Sequence, residues 1–265
     1  MKHFYAVNVG HSIRPGWQTR MKPTVPAMLS FNGGYVDTLG YLALEGLFTA
    51  HVTGNFVTIG AALVLGTTGL ATKLLALPVF CVVIVATRLV SLHLLTHQLP
   101  ILRAMLAVQF LLLTTSSAFA ILHGPFDQGD AWTATLMGMT LVAAMAIQNA
   151  VHRIHLPAAP PSTLMTGTTT QLMIDVADAV HGLTPESRAK TFSRMRSMVA
   201  AVACFASGAA AAALLFAWIQ RWAFVVPPIA ALVAVFTPDN AATSSDKPGT
   251  PLRMRQPAEN PSNAR

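Results

Sequence analysis

Two stretches of the sequence place hydroxyl, amide and imidazole side chains among apolar residues, where such groups could bind a solute or carry a proton. They read FTAHVTGNFVTIG from position 48 and STLMTGTTTQLMIDVAD from position 162. Glycine at a helix break frees backbone carbonyls, threonine and asparagine add side-chain oxygens, and the start of a half-helix attracts anionic groups. These stretches supply eight candidate pathway residues: His51, Thr53, Gly54, Asn55, Thr166, Gly167, Thr168 and Asp175.

Four further charged or amide residues inside apolar runs complete the candidate pathway. Asp37 could carry a proton, because a carboxylate within a membrane helix is costly and is by default a functional hypothesis. Arg88 cannot lose its charge and needs an anionic partner, for which Asp37 or Asp175 would serve. Gln148 and Asn149 hold in the second half of the chain the place that Asp37 holds in the first. Asp37 and Asp175 are the predicted coupling residues.

The same residue types also have a structural interpretation. Small residues let membrane helices approach closely, and threonine hydroxyls bond neighbouring helices or their own backbone. His152 and His155 share a helix face, but no third ligand lies close by in sequence, so no metal site is predicted. The sequence has no nucleophile elbow, phosphate-binding glycine loop or metalloprotease motif. We therefore predict neither a cofactor nor an enzymatic activity.

Composition points to a lipid environment. Of the 265 residues, 53% are hydrophobic and only 10% are charged, whereas a soluble domain carries about 25% charged residues. The net charge of +7 does not indicate nucleic acid, because Lys and Arg lie between the apolar runs and form no single stripe interleaved with aromatics. Cys81 and Cys204 fall inside apolar runs and are interpreted as small buried hydrophobes.

The apolar runs predict an all-α, polytopic transmembrane bundle of eight segments. A spanning helix needs about 20 mostly apolar residues. Six runs are interpreted as full spans, at about 28–48, 74–95, 101–122, 131–151, 198–219 and 223–236. The segments at 52–65 and 163–180 are too short or too polar to face lipid, and we interpret them as short or broken helices enclosed by protein or water.

The ends of the chain differ from the apolar middle. Residues 1–27 are predicted to be a basic cytoplasmic segment, because they lack the apolar run of a signal peptide. Residues 28–236 form the predicted transmembrane domain, with halves at about 28–122 and 131–236. Residues 237–265 are rich in Pro, Ser, Asn and Ala and are predicted to be a disordered cytoplasmic tail.

The positive charges are compatible with two topologies. If the two short segments do not span, 14 Lys and Arg lie inside and 2 outside; if all eight segments span, the counts are 13 and 3. Both topologies place the two termini in the cytoplasm, as expected of a multi-pass inner-membrane protein. The loop HGPFDQGD, 123–130, contains no Lys or Arg. Its composition favours the outside and therefore six spans.

The two halves follow one plan, which predicts an internal two-fold repeat. The spacing is 17 residues from Asp37 to Gly54 and 18 from Asn149 to Gly167. With three spans per half, the second half would be inverted, as in many secondary transporters that bind their solute at broken helices. With four spans per half, the repeats would be parallel. In the inverted arrangement, we expect the two Thr-Gly steps to face each other across one polar site.

Two signatures carry a resemblance to a known family. The stretches GGYVDTLGYLALEGLFTAHVTGN and AMAIQNAVHRIHLPAAPPSTLMTGTTTQL resemble the paired signatures of the YoaK-like family, bacterial multi-pass membrane proteins of unknown function. The resemblance covers about 28–236. Members usually have a glycine near Glu45 and a methionine near Val52, so the glutamate is a chemical departure. The resemblance implies an integral membrane fold and no established activity.

The function predicted from the sequence is a secondary transporter or permease for a small solute. Its predicted partners are the lipid bilayer and a small solute or protons, without nucleic acid, and an oligomer is compatible with the sequence. A membrane enzyme that works through His51, His152 and carboxylates is the second hypothesis. The third is a non-catalytic membrane protein in which small residues serve helix packing.

Overall fold

The computed structural model describes residues 24–126 and 128–237. The predicted N-terminal segment, apart from its last residues, and nearly all of the predicted tail lie outside these ranges. The described chain contains eight α-helices: α1 Val25–Ala43, α2 Asn55–Leu65, α3 Leu70–Thr96, α4 Ile101–His123, α5 Trp132–His155, α6 Met165–His181, α7 Pro185–Ile219 and α8 Val226–Phe236. Short 3-10 turns at Val52–Gly54 and Gln220–Val225 precede α2 and α8. No strand occurs in the described ranges, which confirms the all-α prediction.

Four helical stretches are long and apolar enough to cross a membrane. They are Leu70–Thr96, Ile101–His123, Trp132–His155 and the continuous stretch Pro185–Phe236. The last comprises α7 and α8 joined by the 3-10 turn, so α8 itself has only 11 residues. The prediction of a helix over 28–48 is wrong at its end, because α1 stops at Ala43. Glu45 and Gly46 adopt left-handed backbone, with φ of 49° and 83°, which an α-helix cannot continue.

Glycines bring the backbones of α1 and α7 into direct contact. A Cβ atom on Gly34 would lie 2.1 Å from the carbonyl oxygen of Phe205. A Cβ atom on Gly208 would lie 2.0 Å from the carbonyl oxygen of Phe31. Since real Cβ atoms do not approach so closely, only glycine permits this crossing, and small residues serve membrane helices in this way.

The C-terminal hairpin of α7 and α8 closes around α1. The Tyr35 hydroxyl donates to the Ala223 carbonyl at 2.9 Å, at the turn of the hairpin. At the opposite end, Thr237 contacts Met28. Helix α8 therefore runs antiparallel to α1, and α7 runs parallel to it. Helices α3 and α4 pack on α5, and α4 also packs on α8.

The loop before α5 is fastened to the start of α3. The Asp130 carboxylate accepts hydrogen bonds from the backbone N–H groups of Gly69 and Ala71, both at 2.9 Å. The Thr72 hydroxyl donates to the Gly129 carbonyl at 2.7 Å. A carboxylate at this position offsets the unpaired N–H groups and the positive end of the helix.

Residues 44–65 enter the bundle and leave it at the same end. Glu45 hydrogen-bonds Thr68, so the start and the exit of this segment are joined. Between them the chain reaches the interior, where the His51 ring packs edge-on against Phe205 at 5.6 Å between centroids. Helix α2 then returns to the end at which the segment began. The chain thus forms a hairpin with one short helical arm.

Candidate functional site

Asp37 holds the loop that leads to α2. Its Oδ1 atom accepts hydrogen bonds from the backbone N–H groups of Thr49 and Ala50, both at 2.8 Å. Its Oδ2 atom lies 2.6 Å from Nδ1 of His51. Asp37 is 5% exposed and Thr49 is fully buried. The carboxylate therefore replaces, for these N–H groups, the partners that regular secondary structure would supply.

Asn55 fixes the same loop from its other side. Its side-chain oxygen accepts from the Phe48 backbone N–H at 2.8 Å, and its side-chain nitrogen donates to the Phe48 carbonyl at 2.8 Å. Asn55 is buried, and it is the first residue of α2. The loop 44–51 is thus held by a carboxylate at one point and by an amide at another.

The Asp37 carboxylate favours the protonated form of the His51 imidazole. Hydrogen bonding to Asp37 raises the pKa of the His51 imidazole above its ordinary value of 6.5, against the opposing effect of burial. The backbone of Thr163 also faces the imidazole and also raises its pKa. His51 lies in the connection between α1 and α2, so one short hydrogen bond joins α1 to this connection.

We expect stability to depend on pH through this pair. The folded chain binds the His51 proton more tightly than the unfolded chain, so the stabilisation is complete below pH 6.5 and is lost as pH rises through the folded-state pKa. The midpoint of thermal unfolding of the wild type, relative to that of His51→Gln, should therefore fall from about pH 6.5 upward. A pH-independent difference between the two proteins would contradict this assignment.

A pocket opens beside the Asp37–His51 pair. Its volume is about 500 Å³, within the usual range for small-molecule sites. Its lining includes Asp37, Thr38, Tyr41, Phe48, His51 and Phe205. One wall is therefore charged or polar, and the others are aromatic. A larger, shallow groove of about 750 Å³ follows α6, and its lining includes no ionisable side chain.

The second half of the chain repeats the contact between a long helix and a loop. The Thr163 hydroxyl, in the loop 156–164 before α6, donates to the side-chain oxygen of Asn149 at 2.6 Å. In the first half, the Thr49 hydroxyl donates to Asp37 at 3.4 Å. Asp37 and Asn149 are the residues that the sequence pattern paired as counterparts. Each one bonds a threonine in the loop that precedes the short helix of its own half.

Gln148 is the centre of a buried amide cluster. Its nitrogen donates to the Leu29 carbonyl at 2.8 Å and to the Ser162 hydroxyl at 3.2 Å. Its oxygen accepts from the amide nitrogens of Gln109 at 2.7 Å and of Asn32 at 3.4 Å. The cluster connects α1, α4, α5 and the loop 156–164. It lies beside the His51 site, since a Cβ atom on Gly33 would meet Ser162, Thr163 and Gln148.

Asp175 is paired with Arg194 and not with Arg88. The Arg194 guanidinium donates to both carboxylate oxygens of Asp175, at 2.5 and 2.7 Å. This pair holds the pKa of Asp175 below its usual range and ties α6 to α7. Arg88 is exposed on α3 and lies near His155. It forms no ion pair in the described ranges. A carboxylate held by a bidentate guanidinium is a better structural anchor than a proton carrier.

The two Thr-Gly steps have different immediate surroundings. Gly54 packs against the Phe48 ring, whereas a side chain at Gly167 would project into open space. Thr53 and Thr166 are exposed. Thr168 is buried, and its hydroxyl bonds the Leu164 carbonyl of its own helix. The loops before the short helices meet through His51 and the backbone of Thr163.

Four residues of the site were not predicted from the sequence: Asn32, Thr49, Gln109 and Ser162. The sequence context of Asn32 and Gln109 could have identified them. Gln109 is the only side-chain amide in the apolar run 101–122, and Asn32 interrupts an apolar stretch beside Gly33. A polar side chain in such a setting is a candidate by itself. Thr49 and Ser162 carry no comparable signal, because isolated hydroxyl residues are common in membrane helices and loops.

No cluster of three or more metal-ligating side chains occurs among residues 24–126 and 128–237. The Nε2 atom of His152 lies 3.3 Å from the Ala159 carbonyl, whereas His155 lies near Arg88. The histidines that share a face of α5 are therefore spread over different surroundings. Their arrangement supports helix packing at the end of α5.

Comparison with known proteins gives one family match. A family model described as a protein of unknown function, DUF1275, matches residues 25–237. No curated protein and no solved structure matches the chain. The match covers every described helix, including both short ones and all residues of the Asp37–His51 site.

Proposed function

The chain belongs to the DUF1275 family of uncharacterised, typically multi-pass membrane proteins, and we propose that it is a secondary transporter for a small solute. The family assignment agrees with the YoaK-like resemblance of its two signatures and fixes no activity. The proposal rests on the site. In this proposal, Asp37 and His51 bind and release the coupling proton, and the adjacent pocket holds the solute.

One observation carries the proposal: the loops before the two short helices meet at a titratable pair. The His51 ring bonds Asp37 of α1 and faces the backbone of Thr163, which belongs to the second loop. A proton on this pair therefore changes the contact between the two halves of the chain. Transporters need such a link between ion binding and a change in the arrangement of packed elements.

The packing supports an inverted repeat with six spans. Helix α1 packs on α7 of the other half, as α5 packs on α3. Within each half, the short helix packs on the long helix that follows it, α2 on α3 and α6 on α7. We propose that α1 and α8 complete the six spans and that α2 and α6 are half-helices. Three spans per half then give the halves opposite orientations.

The sidedness of the loop 123–130 tests this topology. We expect a cysteine introduced by Gln128→Cys, in a Cys81→Ala, Cys204→Ala background, to react with a membrane-impermeant thiol reagent in intact cells. With the N-terminus in the cytoplasm, the three spans that precede this loop, α1, α3 and α4, place it outside. The matched control is Ser187→Cys at the start of α7, which should react only after lysis. Reaction of Gln128→Cys only after lysis would contradict the inverted repeat.

The pocket indicates the kind of solute. Rings of Tyr41, Phe48 and Phe205 form an apolar wall, and the carboxylate of Asp37 and the imidazole of His51 form the polar one. Such a lining favours a small molecule with an apolar body and one polar or charged group that competes for the pair. Binding of that group and binding of the proton are then linked, which is the requirement for coupled transport.

Proton flux in sealed vesicles tests the proposed function. Purified protein is reconstituted into liposomes that contain a pH-sensitive dye, and a low-molecular-weight extract of the expressing cells is added outside. We expect the wild type to carry protons in response to the extract and Asp37→Asn to match empty liposomes. Asparagine keeps an oxygen for the loop N–H groups but removes the charge. Asp178→Asn, at an exposed position on α6, is the matched control and should behave as the wild type.

Two results would overturn the transport proposal. The first is the absence of any Asp37-dependent flux with the whole extract and with its fractions. The second is consumption of a component of the extract by the protein in detergent, without a sealed compartment. That outcome would assign the pocket to a membrane enzyme.

A further inference from the structure

The amide cluster around Gln148 has two oxygen atoms that need a partner. The side-chain oxygens of Asn32 and Gln109 are buried and accept no hydrogen bond from the described residues. Asn32 is 1% exposed and Gln109 is fully buried. Buried acceptors without a partner are rare in native proteins, and each one points to an unidentified donor, water or ion.

The orientation of these amides is fixed by a backbone group. The Leu29 carbonyl can only accept, so the group of Gln148 that faces it must be the amide nitrogen. The Gln148 oxygen then points to Asn32 and Gln109, and both must present their nitrogens to it. Turning either amide over would place two oxygens in contact. The two remaining oxygens are therefore fixed as free acceptors.

We propose that these oxygens bind a small monovalent cation, with Na⁺ as the natural probe. Both belong to amide groups whose nitrogens donate to the same Gln148 oxygen, where α1, α4 and α5 meet. Carbonyl oxygens coordinate Na⁺ and K⁺ in transporters and channels, whereas Ca²⁺ and Mg²⁺ sites depend on carboxylates.

The site is separate from the Asp37–His51 pair and does not depend on the transport proposal. It lies beside the loop 156–164, because the Gln148 nitrogen also donates to the Ser162 hydroxyl at 3.2 Å. An ion there would stabilise the position of this loop. Binding in detergent can therefore be measured whether or not the protein transports anything.

Thermal unfolding of the purified protein tests the inference. We expect NaCl to raise the midpoint of unfolding by about 5–10 °C over choline chloride at equal ionic strength, as for a ligand at about 100 times its dissociation constant. Gln109→Met, which removes the oxygen, should abolish the difference. Gln128→Met is the matched control, because Gln128 is exposed in the loop 123–130 and outside the cluster, and it should keep the difference.

A second variant keeps the test decisive if Gln109→Met does not fold. Asn32→Ala removes the other oxygen and loses only the 3.4 Å hydrogen bond to Gln148, so it should also abolish the difference between NaCl and choline chloride. Equal midpoints of the wild type in NaCl and choline chloride would overturn the inference, leaving ordered water as the partner of these oxygens. An equal rise in Gln109→Met and the wild type would overturn it as well.

Discussion

Replacement of Gly208 by alanine is expected to destabilise the fold by at least about 3 kcal/mol and to remove most folded protein from the membrane. The added Cβ atom would lie 2.0 Å from the Phe31 carbonyl oxygen and 2.9 Å from its carbon. Because these are backbone atoms, no rotamer change relieves the clash, and α1 and α7 must separate. Gly34→Ala, whose Cβ atom would meet the Phe205 backbone, should have the same effect.

The measurement is the midpoint of unfolding in detergent together with the yield of monodisperse protein. The control is Gly167→Ala, because a Cβ atom on Gly167 has nothing within 4 Å. That change should be neutral or should stabilise α6 by about 0.5–1 kcal/mol, since alanine favours a helix. Equal effects of the alanines at 167 and 208 would show that α1 and α7 do not meet through their backbones.

Asp37→Ala is expected to cost about 3–5 kcal/mol, and Asp37→Asn only about 1 kcal/mol. Alanine leaves the buried N–H groups of Thr49 and Ala50 without an acceptor and removes the partner of His51. Asparagine retains Oδ1 for both N–H groups, and its nitrogen can donate to a neutral His51. The loop 44–51 should therefore stay in place in the asparagine variant.

The midpoint of unfolding of each variant checks this difference. Protection of loop 44–51 from proteolysis should be lost in Asp37→Ala and retained in Asp37→Asn. If both variants are equally stable, the carboxylate does not hold the loop, and its role is confined to charge. If both fail to fold, the ion pair with His51 carries the stability, and the flux experiment must use His51→Gln.

The number and kind of elements could be predicted from sequence because hydrophobicity in lipid is a strong constraint. Runs of about 20 apolar residues mark helices wherever they fall, and the segments at 52–65 and 163–180 stood out by being short or polar. The end of α1 was predicted less well. Glu45 adopts a backbone conformation that is uncommon for any residue except glycine, and no local pattern announces it.

Asp37 and Asn149 were accessible to sequence reasoning because polar residues are rare in such helices. The residues to which these side chains hydrogen-bond could not be predicted from the sequence. Asp175 was considered as a partner of Arg88, but in the structure it pairs with Arg194, which lies 19 residues away on α7. The cation that Asp175 meets depends on the angle at which α6 packs on α7. The spacing of side chains in the sequence does not determine this packing angle. The same limit hid the contact between Gln109 and Gln148.

The contact between the loops before the two short helices was not predicted, for a related reason. The prediction of a shared polar site rested on the Thr-Gly steps alone. In the structure Gly54 is covered by Phe48, and the loops before the helices carry the contact. Hydrogen bonds of the backbone in those loops decide the arrangement, and the types of the loop side chains do not reveal them.

The crossing of α1 and α7 also has a consequence for biosynthesis. Helix α1 begins at Val25, and its closest partner begins at Pro185, about 160 residues later in translation. At the usual speed of synthesis the ribosome needs roughly 10–30 s to supply that partner. During this interval Asn32 and Asp37 have neither α7 nor the later loops around them. We therefore expect chains truncated before α7 to be degraded.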